Sequence, residues 1–350
     1  MSSAVTFSVS PDYYRAAVAE LRRSLDVASV RRLGDDAGVV ELRQTPDQSG
    51  AQGDSLRTVA DACRRGEVRF VRHLAAADAQ TKTSALRGGP DDAADWALDA
   101  VLDRIEPGDE VSLHVWDSGQ APYAPGKVRR PLLEALIDSG ARVVTSGAPR
   151  TVSVCLGEER STAGIGASAD GLSDWGGGRM RLASRKEQVS RAEFKLEELF
   201  SLVGAPEVTS AVDLGASPGG WTRIVHGLGA TRIDAVDPAD LDPRVLALPG
   251  VTHHRTTAGE FVNGPDAAPV DLIVNDMRMV PHLTAHTMVE AAPLLRPGGL
   301  AIVTFKLGTN NPVKQADESL DLMAPAYEPV FVRQLQHNRQ ELTVVARPRH

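Results

Sequence analysis

The sequence predicts an α/β fold for its second half, a Rossmann-like, mostly parallel sheet with an antiparallel C-terminal hairpin, preceded by smaller α+β units. Three observations predict it. From Ser210 onward, short apolar runs alternate with helix-patterned segments, as in a parallel sheet covered on both faces. One run, Ala211–Leu214, feeds the glycine-rich turn Gly215-Ala-Ser-Pro-Gly-Gly220 and then a helix, the place where doubly wound sheets build a nucleotide pocket. The last two apolar runs, Val330–Leu335 and Glu341–Ala346, are close enough in sequence to pair as a hairpin.

At the N-terminus, Val5–Val9 reads as a strand and Tyr13–Leu25 as an amphipathic helix. Val27–Arg32 and Gly38–Leu42 read as strands about the turn Gly34–Gly38. Gln44–Gly53 has the composition of a loop. Val68–Leu74 reads as a strand, and no pattern folds the segment from there to Asp92. A second α+β unit follows, with helices Ala97–Ile105 and Arg129–Ser139 and strands Glu110–Trp116, Arg142–Thr145 and Val152–Leu156. Gly157–Gly178 is rich in Gly, Ser and Ala, and its tail, Asp174-Trp-Gly-Gly-Gly-Arg179, reads as a flexible approach to a boundary near Leu182–Gln188.

The spacing predicts a helix over Gln188–Val203. Ser190 and Glu193 form a capping box, and Leu196, Leu199, Phe200 and Val203 make one apolar face. Lys195 lies at the edge of that face, where periodicity favours a lysine snorkelling over the core rather than entering a site. Beyond it come strands Ser210–Asp213, Arg232–Val236, Val251–Arg255, Val270–Asp276 and Leu300–Lys306. Helices are expected at Trp221–Leu228, Thr284–Leu295 and Val313–Met323. No internal repeat stands out.

Composition bounds the function classes. The chain has 350 residues, 38 Lys and Arg against 46 Asp and Glu, and a net charge of −8. That length admits two or three domains. The acidic balance argues against a protein that coats nucleic acid non-specifically, while leaving room for a local basic surface. Cys63 and Cys155 make no disulfide framework or metal-ligand spacing. No secretory signal opens the chain and no apolar run could cross a bilayer. A cytoplasmic protein with no membrane partner and no required metal is the expectation.

The turn at 215–220 matches neither G-x-G-x-x-G nor a phosphate loop ending in G-K-[ST]. Glycine at Gly215, Gly219 and Gly220 leaves out Cβ atoms that would hold a ligand off the backbone. Asp213 precedes the turn and Asp237 ends the next strand, which suits a neutral or cationic nucleoside ligand. S-adenosylmethionine carries a ribose diol, an amino group and a sulfonium but no phosphate, and so fits. The plain alternative is an ordinary strand–helix turn. Ligands in such sheets lie outside the strands' carboxyl ends. Asp276 and Lys306 close two strands, Glu341 opens the antiparallel last one at the same edge, and Lys195 stands on the preceding helix.

Ser190-Arg-Ala-Glu-Phe-Lys195-Leu, Val212-Asp-Leu-Gly-Ala-Ser-Pro-Gly-Gly-Trp221, Asn275-Asp276-Met and Phe305-Lys306-Leu resemble the FtsJ-type ribose 2′-O-methyltransferases. The closing Arg333-Gln-Leu-Gln-His-Asn-Arg-Gln-Glu341-Leu-Thr-Val is similar to their RlmM group, which methylates a cytidine ribose in 23S rRNA. The resemblance implies a SAM-dependent methyltransferase domain over 183–350, a ferredoxin-like unit over 1–90 and a THUMP-like RNA-binding unit over 91–182. It implies a catalytic tetrad of Lys195, Asp276, Lys306 and Glu341, with Lys306 as general base. The cofactor would lie against Asp213, Gly215, Ala216, Ser217, Pro218, Gly219, Gly220, Trp221, Asp237 and Asp276, and the partner would be RNA, 23S rRNA in particular. Two departures stand out. Thr256 or Thr257 occupies the place of an acid often found near the adenine, and Met277-Arg-Met replaces Met-Ala-Pro, as in the RlmM group.

Methyl transfer from a sulfonium needs in-line placement of the hydroxyl and removal of its proton. Lys195 and a bound sulfonium would favour a neutral Lys306, while Asp276 would oppose that and orient the amine. Arg179, Arg181, Arg185, Lys186, Arg191 and Lys195 form a basic stretch that either holds RNA phosphates or is a solvated linker. His337 and Arg339 would either touch RNA or be solvated, and His253 and His254 read as strand-end residues. The alternatives are methylation of a small nucleoside or natural product, and a non-catalytic RNA-binding protein on the same scaffold.

Overall fold

A computed structural model describes residues 4–43 and 54–349, and the chain divides into two compact units, Met1–Met180 and Arg181–His350. The loop expected over Gln44–Gly53 lies outside the described residues. Among these residues no helix is long and apolar enough to cross a membrane.

The first unit begins with β1 (Ala4–Val9), α1 (Tyr14–Ser24), β2 (Val27–Arg32), β3 (Ala37–Leu42), α2 (Ser55–Arg64) and β4 (Val71–Ala76). The strands form an antiparallel sheet of order β2-β3-β1-β4. The succession β-α-β-β-α-β is that of ferredoxin-like units. Then come β5 (Ala79–Lys82), α3 (Pro90–Asp99), β6 (Glu110–Ser118), α4 (Pro125–Asp138), β7 (Arg142–Val144), β8 (Arg150–Gly157) and β9 (Arg160–Ala167). They build a mixed sheet of order β5-β9-β8-β6-β7. Strand β5 therefore already belongs to the second sheet. The two sheets share a buried cluster that includes Val39, Ala75, Trp116 and Cys155.

Three sequence expectations are corrected here. The strand expected over Val68–Leu74 is β4, while the segment left without a fold beyond it holds β5 and the start of α3; α2, capped by the Asp54 carboxylate accepting from Leu56 N, was not read from the sequence. Helix α3 starts at Pro90 and not Ala97. Proline at its first turn, with Asp91 and Asp92 behind it, is a helix-start signal that the apolar pattern alone does not show. The Gly-, Ser- and Ala-rich stretch from Gly157, in which no strand was expected, contains β9. Its glycines are packing devices: a Cβ on Gly164 would fall 2.5 Å from the Ala76 carbonyl oxygen, and one on Gly166 would fall 2.5 Å from Leu56 Cδ2.

The second unit contains α5 (Glu193–Val203), β10 (Ser210–Leu214), α6 (Gly220–Gly227), β11 (Arg232–Val236), α7 (Pro243–Leu246), β12 (Val251–His254) and α8 (Ala258–Val262). It continues with β13 (Val270–Asn275), α9 (Pro281–Ala291), β14 (Leu295–Lys306), α10 (Pro312–Met323), β15 (Tyr327–Arg333) and β16 (Glu341–Pro348). The strand order is β12-β11-β10-β13-β14-β16-β15. All neighbours are parallel except β16, which runs antiparallel to both β14 and β15. The chain winds outward from β10 in one direction and from β13 in the other, so the switch point lies between these two strands. That crevice is where an open α/β sheet takes its ligand.

Helix α5 begins at Glu193, later than the predicted Gln188. Only half of the capping box forms. The Glu193 carboxylate accepts from Val189 N at 2.7 Å and Ser190 N at 3.3 Å, whereas the buried Ser190 hydroxyl has no partner. Gly220 explains the crowding, since a Cβ there would lie 2.2 Å from Ser190 Oγ. Leu196 and Leu199 face the sheet and pack with Trp221, Leu272 and Ile302.

Candidate active site

Four charged side chains converge above the switch point. Asp276 follows β13 directly, and its two oxygens each accept from Lys195 Nζ at 2.9 Å. Lys306, the last residue of β14, donates to the same carboxylate. Glu341 opens β16 opposite Lys306 in the strand register; it pairs with Lys195 and lies 3.3 Å from Lys306 Nζ. The antiparallel direction of β16 is what brings its first residue to the edge where β13 and β14 end. Lys195, which periodicity placed over the core, instead points into this cluster and is only 9% exposed.

The two ammonium groups are not equivalent. Burial lowers the Lys306 pKa and neighbouring Lys195 lowers it further, against the pull of Asp276 and Glu341; the net direction is down. For Lys195, burial also lowers the pKa, but Asp276 and Glu341 outweigh it and the net direction is up. Burial opposes ionisation of Asp276, yet Lys306 and Lys195 hold its carboxyl below the ordinary range. Two like groups with pKa values pushed apart are suited to dividing the roles of base and cation. Sequence reasoning missed Thr304. Its hydroxyl donates to Asp276 and contacts Lys306, and the signal was its place two residues before Lys306, on the same face of the strand.

Two clefts meet at this cluster. One, of about 540 Å³, is lined by Arg191, Phe194, Lys195, Lys306, His337 and Glu341, among others. The other, of about 480 Å³, is lined by Gly215, Asp237, Thr257, Met277 and Met279, among others. Ser217, Asp276 and Arg278 belong to both walls. Both volumes fall in the range of small-molecule sites, ~300–1,000 Å³.

The predicted cofactor residues divide into two groups. Gly215, Ser217, Asp237 and Asp276 face the second cleft. Asp237 accepts from Ser217 N at 3.1 Å and Ala239 N at 2.8 Å, so the same carboxylate shapes the turn. Ala216, Gly219, Gly220 and Trp221 are buried in protein packing. A Cβ at Gly219 would meet Val245 at 2.8 Å, and Trp221 Nε1 donates to the Ala192 carbonyl at 2.8 Å. The glycines at 219 and 220 thus admit protein neighbours, where sequence reasoning had them admitting a ligand. Pro218 is exposed. Asp213 is buried beneath the turn, accepts from Thr222 Oγ1 at 2.6 Å, and has its pKa pushed up by burial to about 7. Thr257 lies on the cleft wall and caps α8 in a box with Glu260, whose carboxylate is occupied by Thr256 and Thr257.

The basic stretch is also divided. Arg179 is tied to Asp36 at 2.7 Å and Asp117 at 2.6 Å within the first unit, so it is not a free phosphate contact. Arg185 pairs with Glu197 at 3.2 Å. Arg181 and Lys186 are exposed, and Arg191 lines the larger cleft. His254 bonds Asp234 and His253 bonds the Asp237 carbonyl, each at 2.9 Å, as strand-end residues do. Among the described residues no group of three or more His, Cys, Asp or Glu is placed to hold a metal ion.

Residues 188–330 match the FtsJ-like methyltransferase family. The relatives are more particular. Ribosomal RNA large subunit methyltransferase M of Halorhodospira halophila is 35% identical over 226 residues, 62% of this chain and 62% of that one. The protein of the same name from Methylococcus capsulatus is 34% identical over 189 residues, 50% of this chain and 51% of that one. Ribosomal RNA large subunit methyltransferase E of Acidiphilium cryptum is 38% identical over 125 residues, 32% of this chain and 50% of that one. The matched region thus spans between half and 62% of the length of these relatives. The resemblance read from the motifs is borne out by these matches. TrmN from Thermus thermophilus aligns over 99% of both chains at 15% identity with a TM-score of 0.37; the fold assignment rests on strand order, not on that likeness.

Proposed function

We propose that this protein transfers a methyl group from S-adenosylmethionine to a ribose 2′-hydroxyl of RNA, a cytidine of 23S rRNA in particular. The observation that carries the reading is the pair of lysines on one aspartate, with Lys306 pushed down and Lys195 pushed up, where two clefts meet. The names of the relatives supply the RNA class.

The smaller cleft fits the cofactor. Asp237 offers a carboxylate for a ribose diol, Gly215 presents backbone without a side chain, and Met277 and Met279 offer apolar surface to a flat ring. Thr257 and Gly259 would lie near the ring in place of an acid. When bound, S-adenosylmethionine would supply the electrophilic methyl group and leave as the neutral thioether S-adenosylhomocysteine. The remaining work falls to the chain. Lys306, in its neutral form, accepts the proton of the 2′-hydroxyl. Asp276 holds Lys306 in place and Thr304 fixes the carboxylate. Lys195 stays charged, lowers the affinity of Lys306 for a proton and, with Glu341, orients the ribose. Arg191, Arg278 and Arg339 around the larger cleft suit the flanking phosphates.

For the first unit the reading is a ferredoxin-like part followed by a THUMP-like RNA-binding part, with the division near residue 77, because β5 pairs in the second sheet. On this reading the protein works in the cytoplasm.

The test is a transfer assay with S-adenosylmethionine labelled on the methyl group and unmethylated 23S rRNA. A 2′-O-methyl blocks alkaline cleavage of the adjacent phosphodiester, so the label should appear in one alkali-resistant dinucleotide beginning with cytidine. Label on a base, or only on a free nucleoside, would overturn the proposal.

A further inference from the structure

Ribose chemistry at the lysine–aspartate cluster leaves the target base to be accounted for. A base inside a stack keeps its ribose at a fixed distance from neighbouring riboses. Proteins that act on single nucleotides of RNA splay the base out and give it an aromatic face. Aromatic residues are scarce here, 4% of the chain, yet two rings line the larger cleft beside Lys195 and Lys306. They are Phe194 and His337. They contact each other, with centroids 5.2 Å apart and planes tilted by 46°, and both are only half-buried.

His337 is not a loose surface histidine. It sits in the turn between β15 and β16, and the buried Glu198 of α5 clamps that turn. The Glu198 carboxylate accepts from Gln336 N at 2.7 Å, His337 N at 2.8 Å and His337 Nδ1 at 2.7 Å. Three hydrogen bonds fix both the turn and the plane of the imidazole. Phe194 is fixed by its position on α5, one residue before Lys195. Phe194 is the neighbour of Lys195 on α5, His337 sits in the turn that leads to Glu341 at the start of β16, and both rings line the cleft that Lys195, Lys306 and Glu341 also line, so a nucleotide whose ribose lies at the cluster has its base within reach of the rings.

We infer that Phe194 and His337, the latter held by Glu198, form the stacking subsite for the base of the methylated nucleotide. The inference rests on the RNA reading above. Glu198 acts as a positioning residue, and Phe194 and His337 would touch the substrate.

The experiment uses the full chain, unmethylated 23S rRNA transcript and single-turnover transfer at varied enzyme concentration. Phe194→Leu keeps apolar volume without a ring face, and His337→Ala removes the imidazole. Each is expected to weaken RNA binding about tenfold, within the ~5- to 150-fold range of one base–aromatic stack. S-adenosylmethionine affinity, read by calorimetry, stays within twofold. His337→Phe keeps a ring and should recover most of the loss, and Glu198→Gln should fall between wild type and His337→Ala. Variants indistinguishable from wild type in RNA affinity would overturn the subsite, as would a His337→Phe no better than His337→Ala. The two readings fail differently. A wild-type protein that moves no methyl to RNA removes the function proposed above. A competent wild type with competent Phe194→Leu and His337→Ala removes the base subsite alone.

Discussion

Two buried ionic assemblies, one in each unit, show what distinguishes a structural ion pair from a chemical one. In the first unit, Arg69 and Glu20 are 2% and 0% exposed in their side chains. Arg69 Nε donates to Glu20 Oε1 at 2.7 Å, and the other oxygen accepts from the backbone of Arg69 at 2.7 Å and Phe70 at 3.3 Å. Both carboxylate oxygens of Glu20 are engaged. In the second unit, two lysines share two carboxylates, every member keeps 10–19% of its side chain exposed, and the cluster opens on a cleft. The first arrangement is closed off from solvent, and it locks the segment entering β4 to α1. The second leaves the protons of two amines unequally held, which is the condition for one of them to leave.

Substitutions can break or sharpen this contrast. Lys306→Ala is expected to have the largest effect, a loss of ~10²–10⁴ in the transfer rate with S-adenosylmethionine affinity unchanged within twofold. Isothermal titration beside single-turnover transfer checks both. Glu20→Gln removes the carboxylate charge that the buried Arg69 meets and should cost about 3–5 kcal/mol in chemical denaturation, without altering the pH dependence of transfer. Lys195→Met tests the inequality of the amines. It removes a group that lowers the Lys306 pKa and frees Asp276 to pair with Lys306 alone, and both changes raise that pKa. The midpoint of the rate–pH profile should therefore move to higher pH. The smallest effect is expected for Thr304→Ala, about 1 kcal/mol of stability and less than tenfold in rate.

Sequence made the second unit legible because parallel strands buried on both faces are continuous apolar runs, and their order of appearance fixes which ends align. Asp276, Lys306 and Glu341 could be put on one edge by that argument alone. Lys195 could not, since one lysine on a helix margin has the same spacing whether it covers the core or enters a site. Thr304 was hidden by the blandness of a threonine in a strand. Gly219 and Gly220 were visible as a turn, but their packing against Val245 and Ser190 is a long-range fact. In the first unit, β9 escaped notice because Gly164 and Gly166 stand against β4 and α2 on one face while Ala163 and Ile165 alternate with them on the core face, a pattern too sparse to register as an apolar run. Arg179 looked available for RNA because its partners, Asp36 and Asp117, are remote in sequence.

The central claim is that Lys306 works as a neutral amine because burial and Lys195 hold its pKa down. The most direct test is the single-turnover transfer rate as a function of pH in wild type. Below the folded pKa the amine is protonated and cannot accept, so the rate should climb tenfold per pH unit and level off at a midpoint below the ordinary lysine value of 10.5. A rate independent of pH over that range, or a limb that persists unchanged in Lys306→Ala, would contradict the account.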